Sequence, residues 1–314
     1  MKLLLLITLF FLFDIGKIWA GLFSPSIKRN SDQLNLSPLS LGWEKNRVLG
    51  LGYHIKSKYN SYSPFVSYSF KNRFKLAFNY SKTKAQANYG TSYRVKWTDV
   101  KTRFMGAYLS KNQNHVIGFE KSKEVSRAKG YDDTINFYKL TKFNSSQLGY
   151  GYKNNNFYAG LLYASSLNTA EGYDPPRSSL NFRSQFIAFG LAYNNGKRSI
   201  EIYPAYDTKH GGKIVSEVVL TIGPIEFDLK MESNFYNKNK TSSFVDYYFQ
   251  NGFHAGSFFK NSYYRPYQTA FIDNYAGFKL GYLFNKGDAT LIYSTNTNTY
   301  LPERSINLNF SFFI

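Results

Sequence analysis

The 314-residue chain contains no cysteine, which excludes a disulfide framework and a thiolate metal site. After its first residues it has no run of about 20 apolar residues, the length that a transmembrane helix needs. Acidic residues are scarce, since 20 Asp and Glu stand against 39 Lys and Arg, and the formal charge is +19. This excess either favours anionic partners or reflects basic residues spread over solvated loops.

Aromatic residues are abundant, with 28 Tyr and 29 Phe, yet the mean hydropathy is -0.39. Such a chain mixes apolar and polar residues finely along its length. A transmembrane β-barrel has this composition because every second residue of each strand faces lipid. The length is compatible with two ordinary domains or with one large barrel.

The N-terminal residues 1–20 have the pattern of a secretory signal peptide. Lys2 gives a positive start, residues 3–13 form an apolar run, and Ala20 is a small residue at the expected cleavage point. Gly21 follows in place of a cysteine, so lipoprotein anchoring is not indicated. We predict export to the bacterial outer membrane, with residues 21–46 as a periplasmic segment or small plug and residues 47–314 as the barrel.

The last residues, 304–314, alternate between apolar and polar with a period of two. The apolar positions are Ile306, Leu308, Phe310, Phe312 and Ile314. This period predicts a strand with one apolar and one polar face. Such a strand needs a partner, and pairing with the first strand would close a barrel. The predicted signal for the outer-membrane barrel assembly machinery, which usually reads a terminal aromatic residue, consists of Phe310, Phe312, Phe313 and Ile314.

Short polar turns rich in Asn and Gly, which tolerate the positive φ of tight hairpins, divide the rest of the chain. They lie at 71–73, 111–114, 153–156, 194–197, 223–224, 250–252 and 285–288. Longer polar stretches are predicted as loops at 82–96, 121–133, 167–179, 234–241 and 261–269. The predicted fold class is all-β: a transmembrane antiparallel up-and-down β-barrel of about 14–16 strands, with short periplasmic turns and longer extracellular loops.

Charged residues at inward positions of these strands are the candidates for a selectivity site. They are Lys75, Lys101, Arg103, Glu201, Glu217, Glu226, Asp228, Lys230, Asp246 and Lys279. The early members are basic and the later members mostly acidic, so a basic wall would face an acidic wall across the pore and select ions. The alternative is that they are ordinary wet lumen residues paired with their neighbours.

Catalytic patterns are weak. His254 and Ser257 are predicted on opposite faces of one strand, where they cannot act as base and nucleophile. Asp207 and His210 loosely resemble the aspartate-histidine sites of omptin-like proteases, and a solvated loop pair is the alternative. Metal-ligand spacing and a phosphate-binding glycine loop are missing from the sequence. We therefore expect no enzyme, no catalytic residue, no metal and no cofactor.

The densest basic run, residues 121–129, has no aromatic residue to stack on bases and no nucleic-acid-binding motif. We expect this run to contact the phosphates of lipopolysaccharide, and we expect no nucleic-acid partner. His115 is predicted on the lipid side, next to a turn.

The signal peptide, the series of hairpins and the terminal strand resemble those of bacterial outer-membrane β-barrel channels over essentially the whole mature chain. This resemblance implies a porin-like channel or transporter, embedded in the lipid bilayer, for passive uptake of small solutes through a polar, charged lumen.

Three segments, residues 34–42, 63–78 and 301–304, are similar to the long-chain fatty-acid transporter family, although a clear Asn-Pro-Ala plug motif is missing. Members of that family have an N-terminal plug and carry hydrophobic solutes. The resemblance implies a plugged transporter of hydrophobic solutes as a second hypothesis. The sequence is also compatible with a surface enzyme, or with an adhesive barrel that binds a partner through its Tyr-rich stretch 262–267.

Overall fold

The computed structural model describes residues 38–43, 48–56, 59–70, 73–89, 93–131, 136–173, 178–195, 198–208, 211–234, 238–264, 271–285, 287–296 and 304–313. These residues form one short helix and sixteen strands. The elements are α1 (Pro38–Trp43), β1 (Val48–Lys56), β2 (Tyr59–Phe70), β3 (Phe74–Tyr89), β4 (Tyr93–Leu109), β5 (His115–Tyr131), β6 (Asn136–Asn154), β7 (Phe157–Tyr173), β8 (Ser178–Asn194), β9 (Arg198–Asp207), β10 (Gly211–Ile222), β11 (Ile225–Asn234), β12 (Lys238–Tyr248), β13 (Phe253–Tyr264), β14 (Phe271–Phe284), β15 (Gly287–Asn296) and β16 (Arg304–Phe313).

Each strand pairs antiparallel with its neighbours in sequence, and β1 pairs with β16 to close the barrel. The closing register places Tyr53 opposite Leu308. Pairing skips Pro64 on its β3 side and Pro204 on its β8 side, since proline has no N–H to donate. The predicted up-and-down β-barrel is therefore confirmed, with the strand number at the upper end of the predicted range.

All seven predicted turns join consecutive strands. Gly223 and Pro224 form a two-residue turn between β10 and β11, and Gly223 has a φ of 57°. Gln113, Asn155 and Gly252 also adopt positive φ, at 60°, 51° and 91°. These residues of positive φ all lie in turns that the sequence predicts. We call this end of the barrel the turn end and the opposite end the loop end.

The predicted long loops are wrong for most of their residues. Strands β3 to β8 have 16 to 19 residues each, more than the roughly 9–11 that a tilted strand needs to cross a bilayer. Most of the predicted loops at 82–96, 121–133 and 167–179 belong to these strands. Beyond the membrane both faces of a hairpin are wet, so the hydrophobic alternation disappears while the backbone pairing continues.

The outer surface carries the apolar member of each alternating pair. Strand β9, for example, alternates exposed and buried residues almost throughout its length. Large exposed side chains on this surface include Leu51, Phe78, Phe104, Ile117, Leu148, Phe189, Ile202, Phe227, Leu280 and Phe310. They form the lipid-facing band of a transmembrane barrel. No helix in the described part of the chain is long and apolar enough to cross a membrane.

The last strand presents Phe310 and Phe312 on the outer surface, and Phe313 is paired with Val48. Ile314 lies outside the described residues, as do the predicted signal peptide and residues 21–37. The assembly signal and the boundaries at residues 20 and 46 stay predictions.

Closure can be tested with a cross-link, because the chain has no cysteine of its own. We expect the double variant Tyr53→Cys and Leu308→Cys to form a disulfide in the folded protein. Directly opposed residues of antiparallel strands have Cα atoms about 4.5–5.5 Å apart, within disulfide reach. The bond is detected as a mobility change on a non-reducing gel. The pair Tyr53→Cys and Phe310→Cys, offset by two residues, is the control; equal cross-linking of both pairs would contradict the register.

Candidate functional site

An apolar cluster lies inside the barrel among the inward positions of β2 to β10, and we call this part of the lumen the apolar side. Its buried residues form one cluster and are Phe65, Ala77, Met105, Ala107, Leu109, Val116, Tyr158, Leu162, Ala164, Phe186, Ala188, Ala192, Tyr203, Ala205 and Val215. Large apolar residues lie on the outside of the same strands, and the apolar inward residues are interspersed with buried polar ones such as Lys75, Arg103, Glu120, Gln147 and Glu201. The lumen therefore contains apolar as well as polar and charged residues, and the predicted uptake through a polar, charged lumen stays a prediction.

Helix α1 lies inside the barrel against this apolar side. It packs against β3 to β6, and Leu39 and Leu41 are completely or almost completely buried there. The ring of Trp43 meets the ring of Tyr158 on β7 edge-on, with 5.2 Å between their centroids. A short apolar segment before the first strand thus covers part of the inner wall.

Two glycines of β6 make the space for α1. A Cβ atom at Gly149 would lie 2.9 Å from Leu39 Cδ2, and one at Gly151 would lie 2.5 Å from the ring of Trp43. Both distances are too short for ordinary contact. Glycine within a strand often marks a close approach of another segment, so the Gly-Tyr-Gly pattern is a signal of this contact that the sequence prediction missed.

The other side of the lumen is polar and comes mainly from β11 to β16. Its buried polar residues are Glu226, Asp228, Asp246, His254, Lys279, Asp288, Thr290, Ser294, Asn296 and Ser305. The hydroxyl groups of Ser294 and Ser305 are hydrogen-bonded across two strands at 2.5 Å. Thr290 donates a hydrogen bond to Asp288 at 3.1 Å. Polar side chains along this wall are therefore hydrogen-bonded to one another.

The candidate selectivity charges all lie at inward positions, and six of them form ion pairs. Arg103 binds Glu120 at 2.6 Å and Lys101 lies 3.9 Å from Glu124, both between β4 and β5. Glu124 falls within the predicted loop at 121–133 and Glu120 lies directly before it, so the sequence prediction contains neither glutamate as an inward residue. Inward carboxylates therefore accompany the basic residues of the predicted basic wall, whose part in ion selectivity stays a prediction.

The later strands hold the other two pairs. Lys230 on β11 lies 3.5 Å from Glu217, its register partner on β10. Lys279 on β14 reaches over β13 to Asp246 on β12 at 2.9 Å. The residue between them in the register is Gly256, whose missing side chain leaves the space for this pair.

The remaining four candidates are Lys75, Glu201, Glu226 and Asp228, and all of them are buried. Glu201 lies opposite Glu217 in the register of β9 and β10. Acidic residues therefore concentrate on β9 to β12, close to Lys230 and Lys279. Their role in selectivity stays a prediction.

The residues considered for catalysis do not assemble. His254 is buried in the lumen, 3.4 Å from Asp288, whereas Ser257 is exposed on the outer face. The prediction that they occupy opposite faces is confirmed. Asp207 accepts hydrogen bonds from Ser184 at 2.9 Å, and His210 lies outside the described residues. Over the described ranges no group of His, Cys, Asp and Glu could hold a metal.

His115, predicted on the lipid side, is hydrogen-bonded through Nδ1 to the hydroxyl of Tyr150 at 2.7 Å, and its ring also lies against Tyr152. Both tyrosines are exposed on the outer surface. Polar groups carried on aromatic rings are typical of the girdle where a barrel meets the membrane interface.

No protein-family model and no curated protein matches this sequence. Solved structures do match. The monoaromatic hydrocarbon channel CymD is 12% identical, with a TM-score of 0.53, and the match covers 94% of each chain. The toluene transporter TodX of Pseudomonas putida is 11% identical, with a TM-score of 0.52 and coverage of 95% of this chain and 96% of that chain.

CdiB from Acinetobacter baumannii is 7% identical, with a TM-score of 0.60, and the match covers 85% of this chain and 60% of CdiB. At such low identity these similarities show the fold alone, which is that of the outer-membrane β-barrels predicted from the sequence. The similarity to the long-chain fatty-acid transporter family stays a prediction.

The buried pair between Arg103 and Glu120 gives a stability test. We expect Glu120→Leu to lower the free energy of unfolding by about 3 kcal/mol, because it leaves the guanidinium buried without its charge partner. The double variant Arg103→Met and Glu120→Leu should recover most of this loss, since two apolar residues suit the neighbouring apolar side. Urea unfolding in lipid vesicles measures both. A double variant no more stable than Glu120→Leu would contradict the pairing argument.

Proposed function

We propose that this protein lets small hydrophobic solutes cross the bacterial outer membrane, with the apolar side of its lumen as their path and α1 as part of a plug. The observation that carries the proposal is the extent of that apolar side. It continues to Phe186, Tyr203 and Val215 on β8 to β10, beyond the strands on which α1 packs.

A pore for polar solutes gains nothing from such a surface. The inner residues of water-filled barrels are polar because they contact water, and apolar inner residues are unfavourable there. Clustered apolar side chains are instead what binds an apolar solute, because burial of apolar surface drives the association. The sequence therefore places apolar residues on both faces of β8 for two different reasons: Phe189 for lipid and Ala188 for the solute path.

The solutes of two similar channels support this class. CymD is described as a monoaromatic hydrocarbon channel and TodX as a toluene transporter. The resemblance of three segments to the long-chain fatty-acid transporters, which carry hydrophobic solutes past an N-terminal plug, agrees with this class. On this proposal the N-terminal 20 residues are removed on export, and the assembly machinery reads the terminal strand. We expect no catalytic activity.

The polar side of the lumen favours a second candidate, passive uptake of small polar solutes. The pair of Asp246 with Lys279 and the serines of β15 and β16 line a wall that water can wet. A barrel of sixteen strands is wide enough for an aqueous channel. The two candidates differ in which side of the lumen controls transport.

A charge placed on either side of the lumen separates the candidates. We expect Ala188→Asp to slow the uptake of toluene by at least about tenfold, because a carboxylate in an apolar path is costly to approach. Uptake of labelled toluene is measured in cells with an intact outer membrane, with glycine as the polar reference. Asn307→Asp adds the same charge on the polar side and is the matched control. Equal effects of both variants on toluene would contradict the apolar path.

Variants of α1 test the plug. We expect Leu39→Asp together with Leu41→Asp to detach the helix, because two carboxylates cannot stay buried within the apolar cluster. Single-channel conductance in a planar bilayer should then rise at least about twofold, since a wider lumen carries more ions. The barrel itself should stay folded, as judged by heat-dependent migration on a gel. Unchanged conductance in a folded variant would mean that α1 does not obstruct the pore.

A further inference from the structure

One outer face of the barrel is strongly basic at its loop end. Eight basic residues with described, outward side chains lie on β3 to β6: Lys82, Lys84, Lys96, Lys121, Lys123, Arg127, Lys129 and Lys142. We call them the basic face. They alternate with small or polar inward residues such as Ser122 and Ala128, so the period of two puts all their charges on one surface.

Few carboxylates share this outer face within the described strands. In the described parts of β3 to β6 the acidic residues are Asp99, Glu120 and Glu124, and all three take inward positions. Glu171 on β7, opposite Leu140 in the register, is an outward acidic residue at the edge of the face. In the described parts of β3 to β6 the carboxylates therefore face inward, whereas the charges on the outer surface are positive.

The arrangement is unfavourable in isolation. Lys96 and Lys129 are direct cross-strand partners on β4 and β5. Like charges directly opposite each other destabilise a sheet pair. An anionic partner bound from outside would offset this repulsion. It would also form charge-assisted hydrogen bonds with the lysines, and these bonds would stabilise the face.

The position of the basic face relative to the lipid-facing band indicates which kind of anion it binds. Lys121 lies in the same cross-strand row as Phe104, which is exposed in the lipid-facing band. Lys129 lies eight residues further along β5, about 26 Å at the usual rise of a strand. The basic face therefore begins where the apolar band ends, at the level of lipid headgroups, and continues outwards. A free polyanion would not need this continuity with the membrane, but a phosphorylated lipid would.

We propose that the basic face binds the phosphate groups of lipopolysaccharide in the outer leaflet, with the acyl chains against the apolar band around Phe78, Phe104 and Phe119. This inference rests on the outer-membrane placement in the proposed function, but it does not depend on the solute path. The face would anchor a shell of glycolipid beside the tall strands β3 to β8 and fix the barrel's orientation and depth.

The probe is bisphosphorylated lipid A, compared with lipid A from which both phosphates have been removed. Binding to the refolded full-length protein is measured in detergent micelles by native mass spectrometry. We expect the bisphosphorylated form to bind at least about tenfold more tightly, and its affinity to fall with rising salt.

The variant Lys121→Gln, Lys123→Gln and Lys129→Gln should lose at least about tenfold in affinity for bisphosphorylated lipid A. The matched control, Arg73→Gln, Lys111→Gln and Arg198→Gln, removes three exposed positive charges from the turn end and should bind as the unaltered protein does. Heat-dependent gel migration confirms that both are folded. Three results would overturn the proposal: undiminished binding by the folded face variant, an equal loss in the control, or equally tight binding of a DNA duplex. Normal toluene uptake by the face variant keeps the test separate from the solute path.

Discussion

The pairing of every backbone N–H and C=O group is the constraint on which this structure depends. In a bilayer an unpaired group costs several kcal/mol, so a sheet that crosses the membrane has to close on itself. Here β1 and β16 provide the closure through nine paired residues on each strand, from Val48 to Lys56. Closure also separates the side chains into two sets, because alternate residues then face either lipid or the lumen.

The outer face has one requirement across the membrane, which is contact with lipid, and the sequence meets it with large apolar residues on every strand. The inner face is free of that requirement and can differ from strand to strand. The buried inward residues of β8 include Ala188 and Ala192 beside Ser184, whereas those of β15 include Thr290 and Ser294. The inward residues alone therefore determine how apolar and polar groups are distributed inside the barrel.

The same reasoning explains what could be predicted. The alternation of Phe310 and Phe312 with polar residues, and the Asn- and Gly-rich turns, are local signals, so the barrel and all seven turns followed from the sequence. The ends of the long strands did not, because Lys121 to Lys129 look like a loop once the outer face is wet. The partners of Arg103 and Lys279 lie on other strands and depend on register, which no local pattern contains.

Inward glycines have the same role on both sides of the lumen. On the apolar side Gly149 gives Leu39 its place, and on the polar side Gly256 lets Lys279 reach Asp246 across a whole strand. In both cases a missing side chain on one strand allows groups from two other segments to meet. The positions without a side chain therefore determine which groups can meet inside the barrel. A search for inward glycines is consequently a way to locate such contacts from the sequence of a barrel.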